Sequence, residues 1–251
     1  MNIVTGINNF EEVVKLIKIS DEFYFGLNFI NNHRKYFNNL NLKDIKTAIE
    51  IINFVREKNK NIYLVANETY TAKEIKFVVE TIEKLVDNGL SGVIIRDLNL
   101  GFEIKNLTNI IISSTAIIFN KNAIDFYKNF FPIKRIIIPQ HLKFCEAKKL
   151  ILENPNIEFE IFYFPEVYCT NIDGTCIFHT FEDVNNKMGC FNDFFICNNK
   201  FKPVKPNFNL RLRKFNKWIE LDIISIKVPR DYDTSEKIKI VKRIKNEYIR
   251  N

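Results

Sequence analysis

Four cysteines, Cys169, Cys176, Cys190 and Cys197, fall within 29 consecutive positions, while the fifth, Cys145, stands apart. A thiolate is both a nucleophile and a soft metal ligand, so a group of them in one stretch points to a bound metal or an iron–sulfur cluster. Six, thirteen and six residues separate the four in turn. Structural zinc sites usually draw thiolates from pairs about two to four residues apart, and this stretch has no such pair. Iron–sulfur clusters take thiolates from separated turns, so the wider spacing suits them better. Two of the chain's seven glycines, Gly174 and Gly189, lie here too, where backbone lacking Cβ can bend tightly. Phe178, Phe181, Phe191, Phe194 and Phe195 could exclude solvent from the sulfur atoms. Zinc, or unligated buried thiols, are the competing readings. Cys145, beside Phe144 in an expected helix, reads as core packing.

Other chemistry is sparse. His33, His141 and His179 are far apart in sequence and accompany no recognisable nucleophile motif. His179 lies three residues after Cys176 and could ligate metal or carry a proton. Asn67, Asp97 and Thr115 stand at the ends of apolar runs, where polar groups could orient a small carboxylate-bearing ligand. Arg34 could grip such a ligand with its guanidinium fork. Lys227 and Arg230 follow the last apolar run and form a candidate anion site. For each of these, loop ties, helix caps or surface solvation are the bland alternatives.

Positioning these groups requires a regular framework, and the chain has one. Ile3-Val4-Thr5, Glu22 to Gly26, Asn61 to Asn67, Gly92 to Asp97, Asn109 to Thr115, Arg135 to Pro139, Ile157 to Phe164 and Ile223 to Val228 read as strands. Between them lie segments with apolar residues at helical spacing: Asn9 to Ile19, Leu42 to Lys58, Thr71 to Asp87, and stretches near 120–131 and 141–154. Thr71 followed by Glu74 is a capping box, and Thr234 to Ile249 closes the pattern with a basic amphipathic helix. The 98–108 connection is too short to assign. Eight strands alternating with helices predict an α/β fold, a (β/α)8 TIM-like barrel, with an open doubly wound sheet as the alternative. One domain over 1–251 is expected, with a cysteine-bearing loop over 165–217 after strand 7. That loop leaves the C-terminal end of a strand, the face on which barrel enzymes do their chemistry.

The formal net charge is +7. It permits an acidic partner such as RNA, but Lys, Asn and Ile are abundant throughout, so a generic solvated surface explains it more simply. The basic segments Arg211-Leu212-Arg213-Lys214 and Lys237 to Arg250 carry aromatics that could stack on bases. At helical spacing, Ile238, Val241 and Ile244 read more simply as the inner face of the last helix. The first residues show no signal-peptide pattern and the apolar runs are short, so a cytoplasmic protein without a membrane span is expected. Five cysteines, an odd number, make a disulfide framework the weakest account.

Cys169-Thr170-Asn171-Ile172-Asp173-Gly174-Thr175-Cys176 and Asn186-Lys187-Met188-Gly189-Cys190 resemble the cysteine segment of the collagenase-like protease family, peptidase family U32. The likeness extends in order to Phe23-Tyr24-Phe25-Gly26 with Arg34, Leu64-Val65-Ala66-Asn67, Ile94-Ile95-Arg96-Asp97, Ser114-Thr115 and Ile226-Lys227-Val228-Pro229-Arg230. The resemblance implies a barrel with a four-cysteine iron–sulfur site, 4Fe-4S. It also implies oxygen-independent hydroxylation of an RNA base or a quinone-precursor ring, with prephenate as co-substrate and a homologous partner subunit. Collagen-type proteolysis, or a non-catalytic partner with a structural cluster, are the alternatives within the family. Pro165-Glu166 stands where the family has His-Gly, Gln140-His141 replaces Arg-Glu, and Cys197 lies farther from Cys190 than the usual close pair. The fourth cluster ligand is therefore the least secure.

Overall fold

The computed structural model describes residues 1–34, 40–139, 142–163, 194–197, 200–203, 218, 221 and 225–249. Eight parallel strands close into a barrel: β1 (Asn2–Gly6), β2 (Glu22–Gly26), β3 (Asn61–Ala66), β4 (Gly92–Ile95), β5 (Asn109–Ile112), β6 (Arg135–Ile137), β7 (Glu158–Phe162) and β10 (Ser225–Val228). Each pairs with its neighbour in chain order, and β10 pairs with both β7 and β1, in the register Asn2 to Ser225 and Ile3 to Ile226. Closure excludes the open sheet. Between β7 and β10 lies an antiparallel pair the sequence pattern did not reveal, β8 (Phe194–Cys197) and β9 (Lys200–Pro203), in the register Cys197 to Lys200.

The helices are α1 (Phe10–Leu16), α2 (Ile45–Glu57), α3 (Ala72–Asp87), α4 (Leu98–Ile104), α5 (Lys121–Lys128), α6 (Phe144–Leu152) and α7 (Thr234–Ile249). The first five begin after Asn9, Asp44, Thr71, Asp97 and Asn120, whose side chains accept a backbone N–H three residues on. Each such cap satisfies a donor that the first helical turn leaves unpaired. The capping box of Thr71 and Glu74 is present. The short connection after β4 is a true helix, α4, started by the Asp97 cap.

Strand alternation divides the apolar residues into two cores. Phe23, Phe25, Ile62, Leu64, Val93 and Ile95 face outward and pack under Val13, Leu16, Ile51, Val55, Val78 and Ile82 of the helices. Val4, Tyr24, Tyr63, Val65, Ile94, Ile111 and Ile137 point inward and fill the barrel. In α7, Val241 and Ile244 are buried and Ile238 is partly so, as their spacing predicts. Lys237 is buried as well, with Nζ 2.9 Å from Glu12, so it serves packing between α7 and α1. Cys145 corrects an expectation: it lies on the exposed side of α6, while Ala147 and Leu150 make the buried face.

The barrel interior is not apolar throughout. At the end where the strands begin, Arg135 is 1% exposed and meets Glu22 at 2.7 Å, Glu158 at 2.9 Å and Glu160 at 3.1 Å. Lys227 continues the network, with Nζ 2.8 Å from Glu160 and 3.6 Å from the centre of the Tyr24 ring. Burial raises the Glu22 carboxyl pKa, but the Arg135 hydrogen bonds and charge outweigh it and leave the group below its ordinary value. No helix among the described residues is long and apolar enough to cross a membrane.

Candidate active site at the barrel mouth

The loops that leave the C-terminal ends of β2, β3, β4 and β5 bring polar side chains to one mouth. Asn67 is the tie between them. Its Oδ1 accepts from the His33 backbone N–H at 3.0 Å, and its Nδ2 donates to Ser113 Oγ at 3.2 Å. Thr115 sits in a single 3-10 turn, its hydroxyl 2.9 Å from Ser113 Oγ and 3.4 Å from the Asn67 carbonyl. The predicted residues Asn67 and Thr115 are thus brought together with the stretch that carries Arg34.

Arg34 donates through Nη2 to Asp231 at 3.0 Å, which joins the loop after β2 to the end of β10. Arg230, the neighbour of Asp231 in the chain, is buried. Its Nη1 donates to the Leu40 carbonyl at 2.6 Å and to Asn41 Oδ1 at 2.9 Å, and its Nη2 to Asn32 Oδ1 at 3.2 Å. Asn41 in turn donates to the Arg34 carbonyl at 2.7 Å, and Asn32 accepts from the Arg34 N–H at 3.0 Å. Arg230 therefore holds the loop that presents His33 and Arg34. Glycine makes this possible. A Cβ on Gly26 would lie 2.3 Å from both Arg230 Nη1 and Asn41 Oδ1, and one on Gly6 would lie 2.4 Å from Arg230 Cγ. Burial lowers the Arg230 pKa to about 10, which leaves the guanidinium charged at neutral pH.

Two other predicted residues sit away from the mouth opening. Lys227 is inside the barrel with Glu160, and burial pulls its ammonium pKa down. Asp97 caps α4 through Leu100 N at 3.0 Å and accepts from Tyr70 N at 3.0 Å, so both its oxygens are engaged in loop structure. The Tyr70 hydroxyl donates to the Asn31 carbonyl, and burial with nearby carboxylates holds that phenol protonated. Cys169, Cys176, Cys190, His141, His179 and the segment Arg211 to Lys214 lie outside the described residues. Of the cysteine set, Cys197 is placed by its backbone at the end of β8.

Sequence reasoning passed over Glu68 and did not assign Arg96 a role. Glu68 bridges two sides of the mouth, with Oε1 3.4 Å from His33 Nδ1 and Oε2 3.5 Å from Arg96 Nη1. Strand alternation contained the signal for Arg96. Gly92 and Ile94 precede it at two-residue steps and Ile94 points inward, so Arg96 continues toward the mouth while Asp97 turns to the helix side. The same parity signals Ser113, two residues beyond inward-facing Ile111. Glu68 had no such signal, since it follows the last regular strand position.

The chain is similar in fold to the U32 peptidase Mk0906 (TM-score 0.52, 11% identity, 64% of this chain and 68% of that one). It is also similar to KGPDC from Streptococcus mutans (TM-score 0.55, 8% identity, 99% and 97%). A third similar structure is 2,3-dimethylmalate lyase, a member of the PEP mutase/isocitrate lyase superfamily (TM-score 0.52, 8% identity, 100% and 83%). At such identities these structures share the barrel and nothing finer. No curated protein matches the sequence. The model of peptidase family U32, in contrast, matches residues 8–238, nearly the whole barrel and the cysteine segment together, and the chain belongs to that family.

Proposed function

We propose that this chain is an iron–sulfur protein supporting oxygen-independent hydroxylation of an RNA base or a quinone-precursor ring. In this reading it takes prephenate as co-substrate and works as one subunit of a pair with a homologous chain. The observation that carries the reading is the set of four cysteines within 29 residues, following the C-terminal end of β7 in a U32-family barrel. Cys169, Cys176, Cys190 and Cys197 form a donor set whose chemistry fits an iron–sulfur cluster. Bound there, a 4Fe-4S cluster supplies redox-active, Lewis-acidic iron. The chain's own residues would do the rest. Arg34 and Asn67 would orient a carboxylate-bearing ligand, Thr115 would position it by its hydroxyl, and Arg230 would keep the Arg34 loop in place. Collagenase-like proteolysis is the alternative, and family membership supports it equally.

Anaerobic purification separates the two. A brown protein with iron and acid-labile sulfide, both lost in Cys176→Ala, is the expected result. Deletion of the gene should then change the hydroxylated nucleoside profile or the quinone pool. A colourless, metal-free protein that cleaves gelatin would establish the peptidase instead.

A further inference from the structure

We propose that Arg96 is the residue that grips the ligand's carboxylate at the barrel mouth, with Glu68 as the internal carboxylate it holds until the ligand arrives. The strand register places it. Ala66 pairs with Ile95 and Ile95 with Ile112, and the Ser113 N–H continues the ladder to the Ile95 carbonyl at 2.7 Å. Asn67, Arg96 and Ser113 therefore form a row across β3, β4 and β5, one step beyond those pairs. Two residues earlier on each strand stand Val65, Ile94 and Ile111, part of the apolar filling of the barrel. Asn67 Nδ2 reaches Ser113 Oγ at 3.2 Å, so an amide and a hydroxyl bracket the end of the Arg96 strand.

Arg96 is poorly paired for so enclosed a charge. Its side chain is 16% exposed, and its ion-pair partner among the described residues is Glu68, through one contact of 3.5 Å between Nη1 and Oε2. A guanidinium that fully engages a carboxylate uses two N–H donors at about 2.7–2.9 Å. Other arginines of the chain show the contrast. Arg135 meets three carboxylates at 2.7, 2.9 and 3.1 Å, and Arg34 meets Asp231 at 3.0 Å. A mostly buried charge with a single long contact is costly to keep, and this one stands on the barrel face where ligands bind.

The resident contact also names the ligand chemistry, because the site already admits a carboxylate. Glu68 is 28% exposed and spreads its two oxygens between Arg96 and His33 Nδ1, the latter 3.4 Å away, so neither contact holds it tightly. An incoming carboxylate replaces one long contact with a fork of two short ones. The apolar level beneath strengthens that pairing by excluding water. Glu68 turns to solvent as the ligand enters, and no covalent bond forms or breaks. The inference deepens the proposed carboxylate-bearing ligand by adding Arg96 to its contacts, and it does not depend on a cluster being bound.

The test reads the guanidinium directly. In the full chain labelled with 15N-arginine, the Arg96 Nε–H signal is assigned by its loss in Arg96→Gln. It is then followed while acetate, inorganic phosphate or chloride is added at constant ionic strength. Acetate should shift the signal saturably, with an apparent Kd on the order of 1–10 mM, within reach of so small an anion. Glu68→Gln removes the resident competitor and should tighten acetate binding by about three- to tenfold. Saturation transfer from the protein to the acetate methyl protons needs no arginine signal. It should be lost in Arg96→Gln and also in Arg96→Lys, since an ammonium cannot form the fork. A signal unmoved by acetate, one moved equally by chloride, a larger response to phosphate, or affinity unchanged in Glu68→Gln would each overturn the proposal. Iron content measured on the same samples keeps the two readings apart. A chain without iron whose Arg96 binds acetate sinks the cluster alone, and an iron-bearing chain whose Arg96 ignores acetate sinks the carboxylate grip alone.

Discussion

Arg230 shows how a charged residue can be structural at a functional address. Its position after the last strand makes it a candidate anion site, and in the structure its guanidinium donates to Leu40, Asn41 and Asn32. Replacing it with Met would take a charged donor away from each of those acceptors, a loss of about 1–3 kcal/mol. The urea midpoint of Arg230→Met should therefore drop, and amide exchange should accelerate through residues 27–34 while β3 and β4 stay protected. Gly26→Ala should show the same regional pattern more weakly, because the new methyl group competes with Arg230 Nη1 for space. Neither glycine explains itself in sequence. The reason for both is a side chain more than two hundred residues away.

At the level of elements, the caps decide where helices begin, and they were partly legible. Thr71 with Glu74 announced α3 because both members of the box are local. Asp97, a candidate ligand-orienting group by its place at a strand end, initiates α4 and also ties the Tyr70 backbone. Asp97→Ala should destabilise the chain by about 1 kcal/mol, the usual worth of an N-cap, with a further loss from Tyr70 N. Asp97→Asn should recover the cap alone, since its one amide oxygen can still accept from Leu100 N while its NH2 would face the Tyr70 N–H, a donor against a donor. Denaturant titrations of the two variants check this, and equal losses in both would show that charge rather than capping matters. The β8–β9 pair escaped notice because its residues lie within a stretch dominated by cysteine and phenylalanine, whose spacing follows no simple period.

For the whole molecule, the consequential feature is the ionic network that crosses the barrel. Arg135 joins strands β2, β6 and β7, and Lys227 adds β10. Removing Arg135 as Leu leaves Glu22 buried without its cation and Glu160 with Lys227 alone, a change that costs about 3–5 kcal/mol. Acid should act on the same network. The Glu22 carboxyl has its pKa below the ordinary 4.5, so its stabilisation is fully present above that value and is lost as pH falls through the lower folded value. Urea midpoints measured from pH 7 down to pH 3 should decline below about 4.5, and Glu22→Gln should flatten that decline. Strand content, strand order and the apolar faces were legible from the sequence because period-two alternation and helical spacing are local consequences of backbone geometry. The charges within apolar strands, Glu22, Arg135, Glu158, Glu160 and Lys227, were visible too, but not their partnership. Closure of the sheet, the network inside it and the meeting of His33, Glu68 and Arg96 were decided by tertiary structure alone. They depend on strands far apart in the chain curving round to face one another, and no local pattern encodes that distance.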